Sequence, residues 1–182
     1  PGIAGTTTVA KSTADGYTLM LTSNGHTVAG VLNKGLQFDP VKDFAGITQV
    51  ATVPLVLIVN PDVPAKNLQE FLAHARAKPG QVSFASAGTG GTAHLAMEMF
   101  RALTKTDVIH VPYKGSAGAV NDLASGQVSA MFSSLPSLQA LADKGLARVI
   151  AATAPSRSAA TKSLPQMSAT IPGFDYTTWY AM

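Results

Sequence analysis

The chain has 182 residues, 46% of them hydrophobic and 13% charged, with a formal net charge of +3. That is enough apolar material for a packed core and too little charge for a disordered chain. The Lys and Arg residues are dispersed and form no basic stripe with interleaved aromatics, so nucleic acid is excluded as the expected partner. The absence of cysteine rules out disulfides and thiolate metal sites, and the four His (His26, His74, His94, His110) lack metal-ligand spacing, so neither metal nor cofactor is expected. No stretch approaches the ~20 apolar residues of a membrane helix.

In chain order, residues 5–14 read as a short helix and Asp15-Gly16 as a turn. The β-prone run 17–22 predicts a buried strand, followed by the polar loop Thr22-Ser23-Asn24-Gly25. Residues 39–44 connect to a second β-prone stretch, 46–60, which ends at Asn60-Pro61. A regular alternation then begins. Asn67 caps a helix with Leu68, Phe71, Leu72 and Ala75 on one face, stopped by Pro79-Gly80. Strands are expected at 82–85, 108–111, 128–132 and 147–152. Helices are expected at 92–105 (with Leu95, Met99, Phe100 and Leu103 facing inward), 117–125 and 136–144. Residues 155–173 read as loop and turn, and 174–182 as a last strand. Short strands alternating with helices of about nine to fourteen residues predict an α/β fold with a mostly parallel sheet covered on both faces.

Ligands of open α/β sheets bind beyond the carboxyl ends of the strands, which directs attention to four loops. The segment Ser86-Ala87-Gly88-Thr89-Gly90-Gly91-Thr92-Ala93-His94 follows a strand and opens a helix. Glycines let backbone approach a ligand, and the first amides of a helix have no intrahelical partner, so this segment can grip an anion without a basic side chain. Ser86, Thr89 and Thr92 could add hydroxyl donors, and His94 suits a hydrogen bond to an anion or to the preceding loop. A tight turn with no ligand is the alternative. The Walker pattern fails because Thr92-Ala93 stands where Lys-Ser/Thr is required, and the dinucleotide GxGxxG spacing fails for want of a third glycine. The other loops are Tyr113-Lys114-Gly115, Ser133-Ser134 (with Ser134 as helix cap), and Thr22-Ser23 in the first part of the chain. No Gly-x-Ser-x-Gly elbow is present and no carboxylate pair falls in these loops. Loops rich in neutral donors and poor in titratable groups describe a binding site. An α/β hydrolase or transferase using Ser86 with His94 remains the rival reading.

With these loops in view, the sequence resembles the Bug/TctC family, the substrate-binding proteins of tripartite tricarboxylate transporters. The resemblance rests on Pro1-Gly2-x-x-Gly5-Thr6, Asp15-Gly16-Tyr17-Thr18-Leu19, the run from Phe38 to Phe44, Asn60-Pro61, the Ser86–His94 loop with Leu95 and Glu98, His110 to Gly115, and Pro172-Gly173-Phe174 with Thr178-Trp179. It implies a type II periplasmic-binding-protein-like arrangement, two α/β lobes joined by crossing strands. The expected divisions are 1–54 (partial first lobe), 55–178 (second lobe) and 179–182 (start of the return crossing), with the first lobe incomplete. It also implies an exported, periplasmic, non-enzymatic protein, a monomer when full length. Such a protein delivers a small carboxylate (a di- or tricarboxylate, amino acid or aromatic acid) to membrane permease subunits; a sensing module for a signalling receptor is a further alternative. Carried onto this sequence, Ser86, Ala87, Gly88, Thr89, Gly90, Gly91, Thr92 and His94 form the second-lobe anion pocket. Tyr113, Lys114, Gly115 and Ser133 flank it, and Thr22 and Ser23 face it from the first lobe.

Overall fold

The computed structural model describes residues 2–155 and 161–182. In chain order the elements are α1 (Ile3–Ala10), β1 (Thr22–Ser23), α2 (Gly25–Leu32), β2 (Gln49–Pro54), β3 (Val56–Val59), α3 (Leu68–Ala77), β4 (Val82–Ser86), α4 (Thr92–Thr104), β5 (Val108–Pro112), α5 (Ser116–Ala124), β6 (Ala130–Ser133), α6 (Leu135–Asp143), β7 (Arg148–Ala152) and β8 (Thr177–Ala181). They form a three-stranded sheet, β1-β8-β2, and a five-stranded sheet, β5-β4-β6-β3-β7.

The larger sheet follows from apolar strands too short to be helices and buried on both faces. Every residue of β3 is buried. Because successive strand side chains point to opposite faces, Leu57 and Val59 enter one core with Phe71, Phe84, Phe100, Phe132 and Phe174, under α3 and α4. Ile58 enters the other with Ala119, Leu123, Met131 and Leu138, under α5 and α6. The α3 cap forms as the sequence predicts: Glu70 N donates to Asn67 Oδ1 (2.9 Å), and the Glu70 carboxylate accepts from Lys66 N (2.7 Å). Leu68, Phe71, Leu72 and Ala75 are all buried.

Two expectations are corrected, and two features add to what the sequence offers. Four of the five strands of the larger sheet share one direction, as expected of a mostly parallel sheet, but β3 runs antiparallel to its neighbours β6 and β7. The cause is that β3 continues from β2 through Leu55 alone. A strand entering from the neighbouring sheet needs no crossover helix and is free to run against the rest. Of the strand expected at 17–22, only Thr22 pairs within a sheet, and Tyr17 is 91% exposed. A β-prone run becomes a strand only where another strand accepts its ladder, and among the described residues none lies beside 17–21. Residues 25–32, assigned no element from the sequence, form α2, whose Gly30 lies against the Pro40 ring. Finally, the buried stripe of α4 is Ala96, Met97, Phe100 and Thr104, with Leu103 42% exposed. One residue is about 100° of helix rotation, and small Ala96 sets the close approach. The loop expected at 155–173 holds a short 3₁₀ turn, Met167–Ala169; its part at 156–160 lies outside the described residues.

The two sheets are joined where β2 runs into β3 and where the chain returns into β8. Thr153 ties both crossings together. Its hydroxyl accepts from Leu55 N (2.8 Å) and lies 2.7 Å from Tyr176 O, while Thr153 N donates to Leu55 O (2.9 Å) and Tyr176 N to Thr153 O (3.2 Å). Thr153 is fully buried. Thr153→Val keeps the shape but leaves the Leu55 amide without its acceptor, so a loss of about 1–3 kcal/mol is expected in denaturant unfolding.

Candidate functional site at the start of helix four

The parallel pairing of β4 with β5 and β6 brings their carboxyl ends to one end of the sheet, where Ser86 lies opposite Pro112. Two backbone bonds lash the loops together there: Tyr113 N donates to Ser86 O (2.9 Å) and Gly115 N to Ala87 O (3.2 Å). The β4–α4 loop turns through Gly88 (φ +143°) and Gly90 (φ +76°), conformations that favour glycine. Gly91 N donates to Gly88 O (3.3 Å), and Gly91 is the N-cap of α4 with no side chain capping the helix. Among the described residues, no acceptor meets the backbone N–H of Thr92, Ala93 or His94.

The start of α4 faces the other sheet. Gly91 and Thr92 line a cavity of about 620 Å³ together with Thr22, Ser23, Gly25 and His26, the α1 residues Ile3, Thr6 and Val9, and Tyr180 of β8. Helix α2 packs directly on the loop, so that a Cβ at Gly90 would lie 2.6 Å from Leu32 Cδ1. The residues lining this cavity include no Lys, Arg, Asp or Glu.

Thr22, Ser23, Gly91 and Thr92 therefore meet across one cleft. The other residues singled out from the sequence do not line it. Ala87 and Thr89 are exposed, Gly90 is buried beneath α2, and Ser133 is half-buried at the end of β6. Lys114 is exposed. The Tyr113 hydroxyl is not a free donor as expected: it bonds Asp122 Oδ2 at 2.5 Å, and that carboxylate pushes its pKa up to about 12. Ser134 caps α6 by position, its hydroxyl 2.7 Å from that of Ser137.

Nor does Ser86 pair with His94. Ser86 is 1% exposed, and its hydroxyl lies 2.6 Å from His110 Nε2 and accepts from Gly88 N (3.2 Å). Burial pushes the His110 pKa down, with the neighbouring His94 adding to the effect and Glu98 opposing it. A neutral His110 can take the Ser86 proton as a hydrogen-bond acceptor. His94 Nδ1 is already occupied by Gly90 N (3.0 Å). A buried hydroxyl serving the loop, beside an imidazole serving the same loop, is a structural network and not an activated nucleophile.

Sequence reasoning missed His26, Tyr180 and the α1 residues as cleft-lining groups. His26 Nε2 lies 2.7 Å from Pro40 O, and its ring meets Phe44 edge-on with centroids 4.8 Å apart. The Gly2-x-x-Gly5-Thr6 pattern was the available signal for α1. Nothing local marks His26, whose place depends on the 38–44 connection folding back over α2.

The whole chain, residues 1–182, matches the family described as the tripartite tricarboxylate transporter family receptor, TctC. The chain belongs to the TctC family. Among curated TctC relatives, it is 35% identical over 184 residues to protein BugT of Bordetella pertussis. It is 34% identical over 180 residues to a protein from the tcbD–tcbE intergenic region of Pseudomonas sp. strain P51. These alignments cover 100% and 98% of the chain but only 56% and 54% of the relatives, so the chain spans about half their length. Solved TctC-type structures superpose over 99% of the chain. An R. palustris protein solved with adipate gives a TM-score of 0.89 at 31% identity, and the periplasmic binding protein BugD 0.86 at 30%, covering 61% and 60% of those chains. MatC from Rhodopseudomonas palustris, solved with bound malate, gives 0.84 at 27% and is covered over 62%. The type II periplasmic-binding-protein-like fold, two α/β lobes joined by crossing strands, is thereby established, and the family is one of receptors, with BugD described as a periplasmic binding protein, rather than of enzymes.

Proposed function

We propose that this chain is the ligand-capturing part of a periplasmic solute-binding protein that takes up a small carboxylate and hands it to the membrane permease subunits of a tripartite tricarboxylate-type transporter. The observation that carries the reading is the N-terminus of α4, whose first amides at Thr92, Ala93 and His94 have no acceptor among the described residues and whose Gly91 and Thr92 line one cleft with Thr22 and Ser23. Hydrogen bonds from amides to a charged acceptor contribute about 1.5–3 kcal/mol each, against about 0.3–1 kcal/mol for the helix dipole at an exposed end. The amides therefore dominate, and one carboxylate is the natural occupant. Adipate and malate, found with two of the similar structures, set the expected ligand size.

Residues 1–54 and 179–182 belong in this reading to the first lobe and its return crossing, and 55–178 to the second. Closure about the Thr153 junction would press Thr22 and Ser23 onto the ligand. Ser86, Gly88, Gly90 and His94 shape the loop, while Tyr113, Lys114, Gly115 and Ser133 form its flank. The full-length protein acts in the periplasm as a monomer. Calorimetry against a panel of organic acids that includes adipate and malate tests the reading. Saturable binding of at least one acid with no hydrolysis of acyl esters is expected; ester turnover, or binding of none of the acids, contradicts it.

A further inference from the structure

We propose that the side chain of His94 is a positioning group whose imidazole Nδ1 holds the Gly90 amide, fixing the turn that aims the first amides of α4 into the cleft, and that the imidazole does not itself touch the ligand. The inference rests on the carboxylate-binding reading of α4 and decides between the two tasks, anion contact or loop support, that the sequence left open for His94.

Gly90 is buried at φ +76°, and its N–H donates to His94 Nδ1 at 3.0 Å. A ring nitrogen that accepts carries a lone pair, so the neutral ring keeps its hydrogen on Nε2. Nε2 faces Glu98 Oε1 at 3.5 Å, and Glu98 is in turn held by Arg101 at 2.7 Å. Nδ1 is thus engaged within the protein, and the carboxylate near Nε2 would repel a ligand carboxylate approaching from that side. The ring also stacks on His110 from β5, with centroids 3.9 Å apart and planes 23° from parallel. His110 reaches the same loop through Ser86, which accepts from Gly88 N. Of the amides inside the loop, Gly90 therefore ends on this imidazole stack directly and Gly88 on Ser86, which joins His110, while the amides of Thr92, Ala93 and His94 remain for the ligand.

Two substitutions separate the acceptor from the ring. In His94→Asn the side-chain oxygen occupies the place of Nδ1, keeping the acceptor and losing the ring. In His94→Phe the ring still stacks on His110 but accepts nothing. With adipate and malate as probes, His94→Asn is expected to bind within about threefold of the parent, and His94→Phe to lose on the order of tenfold, the equivalent of one misplaced hydrogen bond. A Phe variant as tight as the parent, or an Asn variant as weak as Phe, overturns the assignment. A through-hydrogen-bond nitrogen–nitrogen coupling between Gly90 N and His94 Nδ1 is expected in the parent protein, and its absence overturns the assignment without reference to any ligand. Failure of both acids to bind the parent would sink the carboxylate reading, while the coupling would still decide the role of His94.

Discussion

Thr92→Glu is expected to weaken carboxylate binding by at least about 100-fold while leaving the melting temperature unchanged or slightly raised. Thr92 is the first residue of α4 and lines the cleft with Gly91. A carboxylate at a helix N-terminus stabilises the helix by about 0.3–1 kcal/mol, so the fold does not suffer. The same charge stands where the ligand's carboxylate must come. Two like charges about 4 Å apart repel by about 4 kcal/mol at the effective dielectric of a protein surface, more than the roughly 2.7 kcal/mol that 100-fold in affinity represents. Thr92→Gln has similar bulk and no charge, and is expected to lose far less. Calorimetry on the two variants separates charge from size; equal losses would mean that steric filling, not anion recognition, governs the cleft.

Phe84→Ala is expected to cost about 3–5 kcal/mol, the usual range for emptying a buried aromatic site. Phe84 is the hub of the aromatic core. Its ring centroid lies 5.8 Å from that of Phe71, 5.5 Å from Phe100 and 5.6 Å from Phe132, so one truncation removes three ring contacts drawn from α3, α4 and β6. Each such pair contributes about 0.5–1.5 kcal/mol beyond area burial. The alternation of strand side chains puts Phe84 under α3 and α4, away from the cleft that begins beyond Ser86. Equilibrium unfolding in urea should therefore show a large fall in stability, with little change in ligand affinity under conditions where the variant is folded. A loss under about 1 kcal/mol would show that the site collapses around the missing ring.

The parts of this molecule legible from its sequence are those fixed by local chemistry. The α3 cap needs only Asn67 and Glu70, and the β4–α4 turn needs only glycines between an apolar strand and an amphipathic helix. Features that depend on a distant partner were not legible. The direction of β3 is decided by its continuity with β2, the fate of 17–21 by the lack of a neighbouring ladder among the described residues, and the inward face of α4 by how closely Ala96 lets the sheet approach. The site divides the same way. The unpaired amides of Thr92 and Ala93 follow from the turn, as does the local bond of Gly90 to His94 that the sequence offered as one of two roles for that ring, whereas the occupation of Tyr113 by Asp122 and of Ser86 by His110 arises only when separate segments meet. Each of those side chains looks like a ligand contact in isolation and proves to be engaged within the protein.

Amide proton and nitrogen shifts of ¹⁵N-labelled protein, followed through a titration with malate or adipate, test the central claim most directly. The amides of Thr92, Ala93 and His94 are expected to show the largest saturable shifts, with their protons moving downfield as they take up a charged acceptor. Saturable binding that leaves those three amides unmoved, with the large shifts elsewhere, would contradict the assignment of the α4 N-terminus as the carboxylate grip.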